Sequence, residues 1–131
     1  MVKEVRPFLM FEGKAEEAVN FYVSLLPESS IVEMSYYGSE GPGAEGSVSR
    51  ASFKLKDQII LCFDSPPVHK FTFTPSFSLF VDCESEEEIE RLTSSLLKDG
   101  EALMPLGEYG FSRKFAWVSD RYGVSWQLNL P

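Results

Sequence analysis

The side chains that could carry acid–base, metal or nucleophilic chemistry are few, and their spacing narrows what they can do. His69 is the only histidine and lies in "PPVHKF", so a site built from several imidazoles cannot be assembled. It reads as a linker histidine, exposed or hydrogen-bonded. Cys62 and Cys83 show no CxxC spacing and no metal-type cluster around them, which suits reduced thiols. Cys62 falls in the buried run "IILCFD" and is predicted on its cleft-facing side; with no neighbouring His to lower its pKa, the plain reading is a small apolar residue. Cys83 ends a strand and reads as structural. The run "ESEEEIE" at residues 84–90 reads as a solvated helix N-terminus favoured by the helix dipole. Arg50 shares a parity with Ser52 and Lys54. It grips an anionic ligand group if that side lines a cleft, and is a surface residue if it does not. Gln127, in "DRYGVSWQLNLP", offers a neutral amide, which can donate and accept hydrogen bonds but cannot serve as a general base.

The elements that position these groups follow from periodicity. With 131 residues, 44% hydrophobic and 14% aromatic, the chain suits one compact domain or two small fused modules. Its 20 Asp and Glu against 12 Lys and Arg, a formal charge of −8, argue against attraction to nucleic acid or an anionic membrane surface. No run of 18 apolar residues and no basic-plus-apolar leader is present, so a cytoplasmic protein is expected. "RPFLMF" (6–11) predicts a buried strand. "GKAEEAVNFYVSLLP" predicts a helix with Ala18, Phe21, Tyr22 and Leu25 on one stripe, stopped by Pro27. Strands follow at 30–38, 47–55 and 59–64, with the glycine-rich "SEGPGAEG" (39–46) as a hairpin loop or a lid.

After "SPPVHKFTFTP" the pattern starts again. A strand is predicted at 76–82, then a helix with Ser85 and Glu88 as a capping box and Ile89, Leu92 and Leu96 as its apolar stripe, stopped at Gly100. Strands at 101–106, 113–119 and 124–130 complete the half. An offset of 70 sets Phe11 on Val81, Val19 on Ile89 and Leu26 on Leu96; near the ends an offset of 65 sets "DQIILCF" over "YGVSWQL". The expectation is an α+β fold of two tandem βαβββ modules, 1–66 and 76–131, joined by a linker at 67–75. One helix lies outside each module, and a curved mixed sheet surrounds a cleft. In "FTFTPSFSLF", core packing is expected for most of Phe71, Phe73, Phe77 and Phe80, with Phe80 allowed to line the pocket. No dinucleotide, P-loop or nucleophile-elbow motif occurs, and no doubly wound pattern supports a methyltransferase.

The repeat, with "PFLMFEGKAEEAVNFYVSLLPES", "GPGAEGSVSRASFKL", "FTFTPSFSLFVDCESEEEIERL" and "WVSDRYGVSWQLNLP", resembles the vicinal oxygen chelate superfamily of glyoxalase I, bleomycin-resistance proteins and extradiol dioxygenases. Within it the chain looks like the PhnB-like branch, whose members often carry a 3-demethylubiquinone-methyltransferase-like label. In metal-dependent members each module supplies two His or Glu ligands, one from its first strand and one from its last. Here those places fall on Arg6 (or Pro7, if the strand shifts by one), Cys62, Ser76 and Gln127, and "DRYG" resembles the family's "DPDG" turn. This set is poor for a hard divalent ion, so no metal and no cofactor are expected.

Two functions from different classes follow. The first is a metal-free protein binding a small, partly apolar molecule in the cleft, as the bleomycin-resistance branch does. Its pocket is expected from Phe8 and Met10 on strand one, Arg50, Ser52 and Cys62 in the rest of the first module, Ser76, Ser78 and Phe80 opening the second, and Gln127 and Asn129 on the last strand. The alternative is a glyoxalase- or dioxygenase-type enzyme with an atypical metal shell. The resemblance also implies a homodimer.

Overall fold

The computed structural model describes every residue from Met1 to Pro131 and divides into two compact units, Met1–Thr72 and Phe73–Pro131. The first holds β1 (Phe8–Phe11), α1 (Ala15–Leu25), β2 (Ser29–Tyr36), β3 (Val48–Leu55) and β4 (Gln58–Asp64). Its sheet runs β1-β4-β3-β2, with β1 parallel to β4 and the other pairs antiparallel. The stripe predicted for α1 is what it buries: Ala15, Ala18, Val19, Tyr22 and Leu25. Tyr22 meets Phe53 of β3 with ring centroids 6.2 Å apart. Leu9, Phe11, Ala51, Phe53, Ile60 and Cys62 complete this helix-covered face. Burying each large side chain among them contributes roughly 1.5–3 kcal/mol.

Lys14 at the start of α1 provides no side-chain cap. The cap comes from another element: Asp64, buried at the end of β4, accepts the N–H of Gly13 at 2.7 Å and of Ala15 at 3.0 Å through one oxygen, and that of Val48 at 2.9 Å through the other. One carboxylate therefore fastens the helix start and the β3 start to the end of β4.

The second unit repeats the plan with β5 (Ser78–Asp82), α2 (Glu86–Leu97), β6 (Glu101–Gly107), β7 (Lys114–Ser119) and β8 (Ser125–Leu130), in the order β5-β8-β7-β6. The two units are thus βαβββ modules of an α+β fold. Half of the expected capping box forms: Ser85 Oγ accepts the N–H of Glu88 at 3.1 Å, while Glu88 Oε1 reaches past Ser85 to the N–H of Glu84 at 2.9 Å. Ile89, Leu92 and Leu96 are buried, with Val118, Trp126, Leu128 and Leu130 among the core residues of the unit. Lys114 sits at 3.2 Å from Glu90 and 4.0 Å from Glu86, tying β7 to the acidic start of α2. Gly100 is required by more than a helix stop, since a Cβ there would lie 2.4 Å from the backbone oxygen of Ser119.

Both first strands are shorter than expected. β1 begins at Phe8, although the N–H of Leu61 still donates to Pro7 O at 3.0 Å. β5 begins at Ser78, because the turn in which Phe77 N–H donates to Thr74 O holds Pro75 and Ser76 outside the ladder. The glycine loop closes by Tyr37 N–H to Ser47 O and Gly46 N–H to Tyr37 O, and packs on the Tyr37 ring: a Cβ at Gly43 would lie 2.3 Å from Tyr37 Cε2.

Candidate functional site

Each sheet has one face covered by its helix and one that the helix leaves open, and strand parity assigns every candidate residue to one of them. In the first unit the open face carries Phe8 and Met10 of β1, Leu61 and Phe63 of β4, and Arg50 and Ser52 of β3. Phe8 stays 62% exposed and stacks on Phe63 with centroids 5.1 Å apart. Ser52 is buried. Arg50 belongs to this face and is exposed, with its Nε donating to Glu33 Oε1 at 3.1 Å.

Cys62 departs from the expected pocket. It pairs with Ala51 and Leu9, which puts its thiol on the helix-covered side, opposite to Phe8, Met10 and Ser52. The offset of 65 is one residue too long, since the registers set Leu61 on Ser125 and Phe63 on Gln127, 64 apart, and shifting a strand by one residue exchanges its faces. Gln127 lies on the open face of its own unit, so its counterpart in the first unit is an open-face residue of β4, Leu61 or Phe63. Burial pushes the Cys62 thiol up to about 12, with the Asp64 carboxylate adding to the effect. Cys83 is buried too and pushed up to about 11, by burial first and then by Glu88 and Asp82.

These shifts give a pH dependence with a definite sign. The folded chain keeps thiol protons that the unfolded chain releases near 9.0. This contribution is fully present below pH 9 and is lost as pH rises through the folded values of about 11 and 12. Chemical denaturation across pH 8–11 is expected to show stability falling by up to about 1.4 kcal/mol per pH unit per ionising thiol. Variants with Cys62→Ser and Cys83→Ser lose that slope, and a slope equal to that of the parent protein would count against burial as its cause.

In the second unit the open face of β5, β7 and β8 carries Ser78, Phe80 and Asp82, then Phe115, Trp117 and Ser119, then Ser125, Gln127 and Asn129. Phe80 is 57% exposed and lies beside Gln127 in the register. Four of these side chains form a hydrogen-bonded row. Trp117 Nε1 donates to Ser125 Oγ at 2.8 Å, the Ser125 and Ser78 hydroxyls lie 2.7 Å apart, and Gln127 Nε2 donates to Ser78 Oγ at 3.2 Å. Asn129 is spent internally as well: its Nδ2 donates to Asp82 Oδ1 at 2.9 Å and its Oδ1 accepts from Ser112. Ser78, Phe80, Gln127 and Asn129, expected from the sequence as pocket residues, share this face with Trp117 and Ser125, which were not expected there and whose alternation with Phe115 and Gln127 was the signal.

Ser76 lies in the turn before β5, exposed, with its hydroxyl 2.7 Å from that of Thr74. Phe71 and Phe77, expected mainly in the core, are also exposed, and Phe71 stacks on the exposed linker residue His69 with centroids 5.0 Å apart. Arg6 precedes β1 and donates from Nε to Glu4 at 2.6 Å. Of the places that the resemblance assigned to ligands, Arg6 is a paired guanidinium, Ser76 a turn hydroxyl and Gln127 an amide donating to Ser78, while Cys62 is replaced on the open face by Leu61 or Phe63. These donors do not fit a divalent ion.

The sequence profile described as 3-demethylubiquinone-9 3-methyltransferase matches residues 3–129. The chain belongs to that family. Among solved structures, the family's PhnB protein from Bacillus cereus is 56% identical, with a TM-score of 0.95 over 98% of this chain and 100% of that one. Protein YjdN of Escherichia coli strain K12 is 24% identical over 95% of this chain and 92% of its own length. A glyoxylase/bleomycin resistance protein/dioxygenase domain from Frankia sp. shares the fold, with a TM-score of 0.64 at 15% identity over 99% of this chain and 98% of that one. The family is therefore the PhnB-like one, and the likeness to the Frankia domain is one of fold. No helix is long and apolar enough to cross a membrane.

Proposed function

We propose that this chain binds a small, partly apolar molecule without a metal ion, in the cleft that the superfamily resemblance implies. The observation that carries the reading is Gln127. At the place where metal-dependent relatives keep a carboxylate stands a neutral amide, hydrogen-bonded to Ser78 and flanked in the register by the exposed ring of Phe80. Aromatic surface left half-exposed beside a few fixed polar groups is the composition of a small-molecule site. The methyl transfer in the family's description has no support in the topology: both sheets are mixed and four-stranded, without the doubly wound parallel arrangement on which nucleoside cofactors commonly sit. The proposal extends to a homodimer, which the resemblance implies, and to the cytoplasm, which two free buried cysteines suit. The excess of acidic side chains disfavours nucleic acid and anionic membranes as partners.

The test is fluorescence titration with the neutral apolar fluorophore N-phenyl-1-naphthylamine. Saturable binding at about one probe per chain is expected, with the same affinity in EDTA and in manganese. Binding only with manganese would make the metal-enzyme reading primary, and the lack of any binding would leave a scaffold without a small-molecule role.

A further inference from the structure

The hydrogen-bonded row on the open face of the second sheet leaves a countable remainder. Trp117, Ser125, Ser78 and Gln127 supply five polar hydrogens: one indole, two hydroxyl and two amide. One passes from Trp117 to Ser125, one lies between the two serines, and one passes from Gln127 to Ser78. Whichever serine donates to the other, one hydroxyl hydrogen and one amide hydrogen of Gln127 are left over. Gln127 Oε1 accepts from no group of the chain. The row therefore offers one acceptor beside the spare amide hydrogen of Gln127, joined by a hydroxyl hydrogen when Ser78, and not the buried Ser125, keeps it, all on uncharged groups.

The surroundings restrict what can use them. Within β5, β7 and β8 the open face has no Lys or Arg, and its single charged residue is Asp82. An anion would meet that carboxylate and the Gln127 oxygen with no cation to offset either. A cation with donors only would satisfy Gln127 Oε1 yet set its hydrogens against the spare amide hydrogen. Phe80, exposed and next to Gln127 in the register, provides the apolar side.

Resting on the small-molecule reading above, we infer that the ligand of this face is uncharged and pairs an amide-like edge, a donor beside an acceptor, with an apolar ring. The ligand's donor meets Gln127 Oε1 and its acceptor takes the spare Gln127 or Ser78 hydrogen, while its ring lies along Phe80.

Three probes of one shape separate the cases: benzamide, benzoate and benzamidine. Nitrogen-15 NMR reads them at two indole signals, with Trp117→Phe assigning the Trp117 signal. The Trp126 indole, buried and bonded to Asp120, is the internal control. Benzamide is expected to shift the Trp117 signal and leave Trp126 in place, binding about tenfold tighter than benzoate or benzamidine, as expected of one well-made polar contact. Gln127→Leu reduces benzamide to the level of benzoate, and Ser78→Ala, a smaller change, weakens it in the same direction. Benzoate or benzamidine binding as tightly as benzamide overturns the inference. So does a Trp117 signal that none of the three moves while N-phenyl-1-naphthylamine still binds. Failure of that fluorophore as well overturns the underlying small-molecule reading.

Discussion

Asp64→Ala is expected to lower the melting temperature by about 10–15 °C, one of the two largest losses available to a single substitution in this chain. The carboxylate is buried and accepts three backbone N–H groups, those of Gly13, Ala15 and Val48. Removing it leaves three donors without their acceptor near the core, each costing about 1–3 kcal/mol, although water entering the gap recovers part. A net loss of about 3–4 kcal/mol is a large fraction of a small domain's stability, and at this chain length it corresponds to the temperature shift given. Asp64→Asn keeps one oxygen for the helix start and is expected to lose about half as much. Thermal unfolding followed by circular dichroism checks both, and hydrogen exchange should quicken first at Gly13, Ala15 and Val48. A shift under about 2 °C for the alanine variant would show that the three contacts are dispensable.

Asp120→Ala is the matching change in the second unit. Its carboxylate accepts the N–H of Tyr122 at 2.8 Å and of Val124 at 3.0 Å through one oxygen, and Trp126 Nε1 at 2.9 Å through the other. The turn it holds is closed by Gly123 N–H to Asp120 O at 2.9 Å and has Gly123 at φ +88°, a left-handed conformation that favours glycine. Trp126 is 1% exposed, so its indole hydrogen loses its partner where water has little access. A loss of about 3 kcal/mol is expected, with a displaced Trp126 indole signal. Because the turn sets the β7–β8 register, the row of Trp117, Ser125 and Gln127 should loosen, and binding of N-phenyl-1-naphthylamine should weaken severalfold. Full stability with an unmoved indole signal would refute the assignment.

Neither aspartate was visible as a fastening point in the sequence, and the reason is general. Apolar periodicity reports which side chains leave water, so the α1 stripe through Ala18, Tyr22 and Leu25 and the Ser85 half of the capping box were legible. A buried carboxylate breaks that pattern, and its value lies in backbone donors up to 51 residues away. The same limit explains Cys62. In "IILCFD" both parities are apolar until Asp64, so alternation could not say which side faced the helix. Only the pairing of Cys62 with Ala51 and Leu9 decides it. In the second unit alternation is cleaner, because Gln127 and Asn129 interrupt Trp126, Leu128 and Leu130; there Gln127 and Asn129 fell on the expected face, while Ser125 was overlooked. Ser76 was misplaced for a local reason, the Thr74–Phe77 turn before β5.

The account stands on metal-independent binding, and the most direct measurement is the metal content of untagged protein purified without chelator, followed by calorimetric titration with nickel, zinc, manganese and iron(II). Substoichiometric metal and no binding up to millimolar concentrations are the predicted result. One tightly held ion per chain would contradict it, because Arg6, Ser76 and Gln127, at places where the resemblance implies ligands, and Leu61 or Phe63, opposite Gln127 in the repeat, provide no donor set that could hold one.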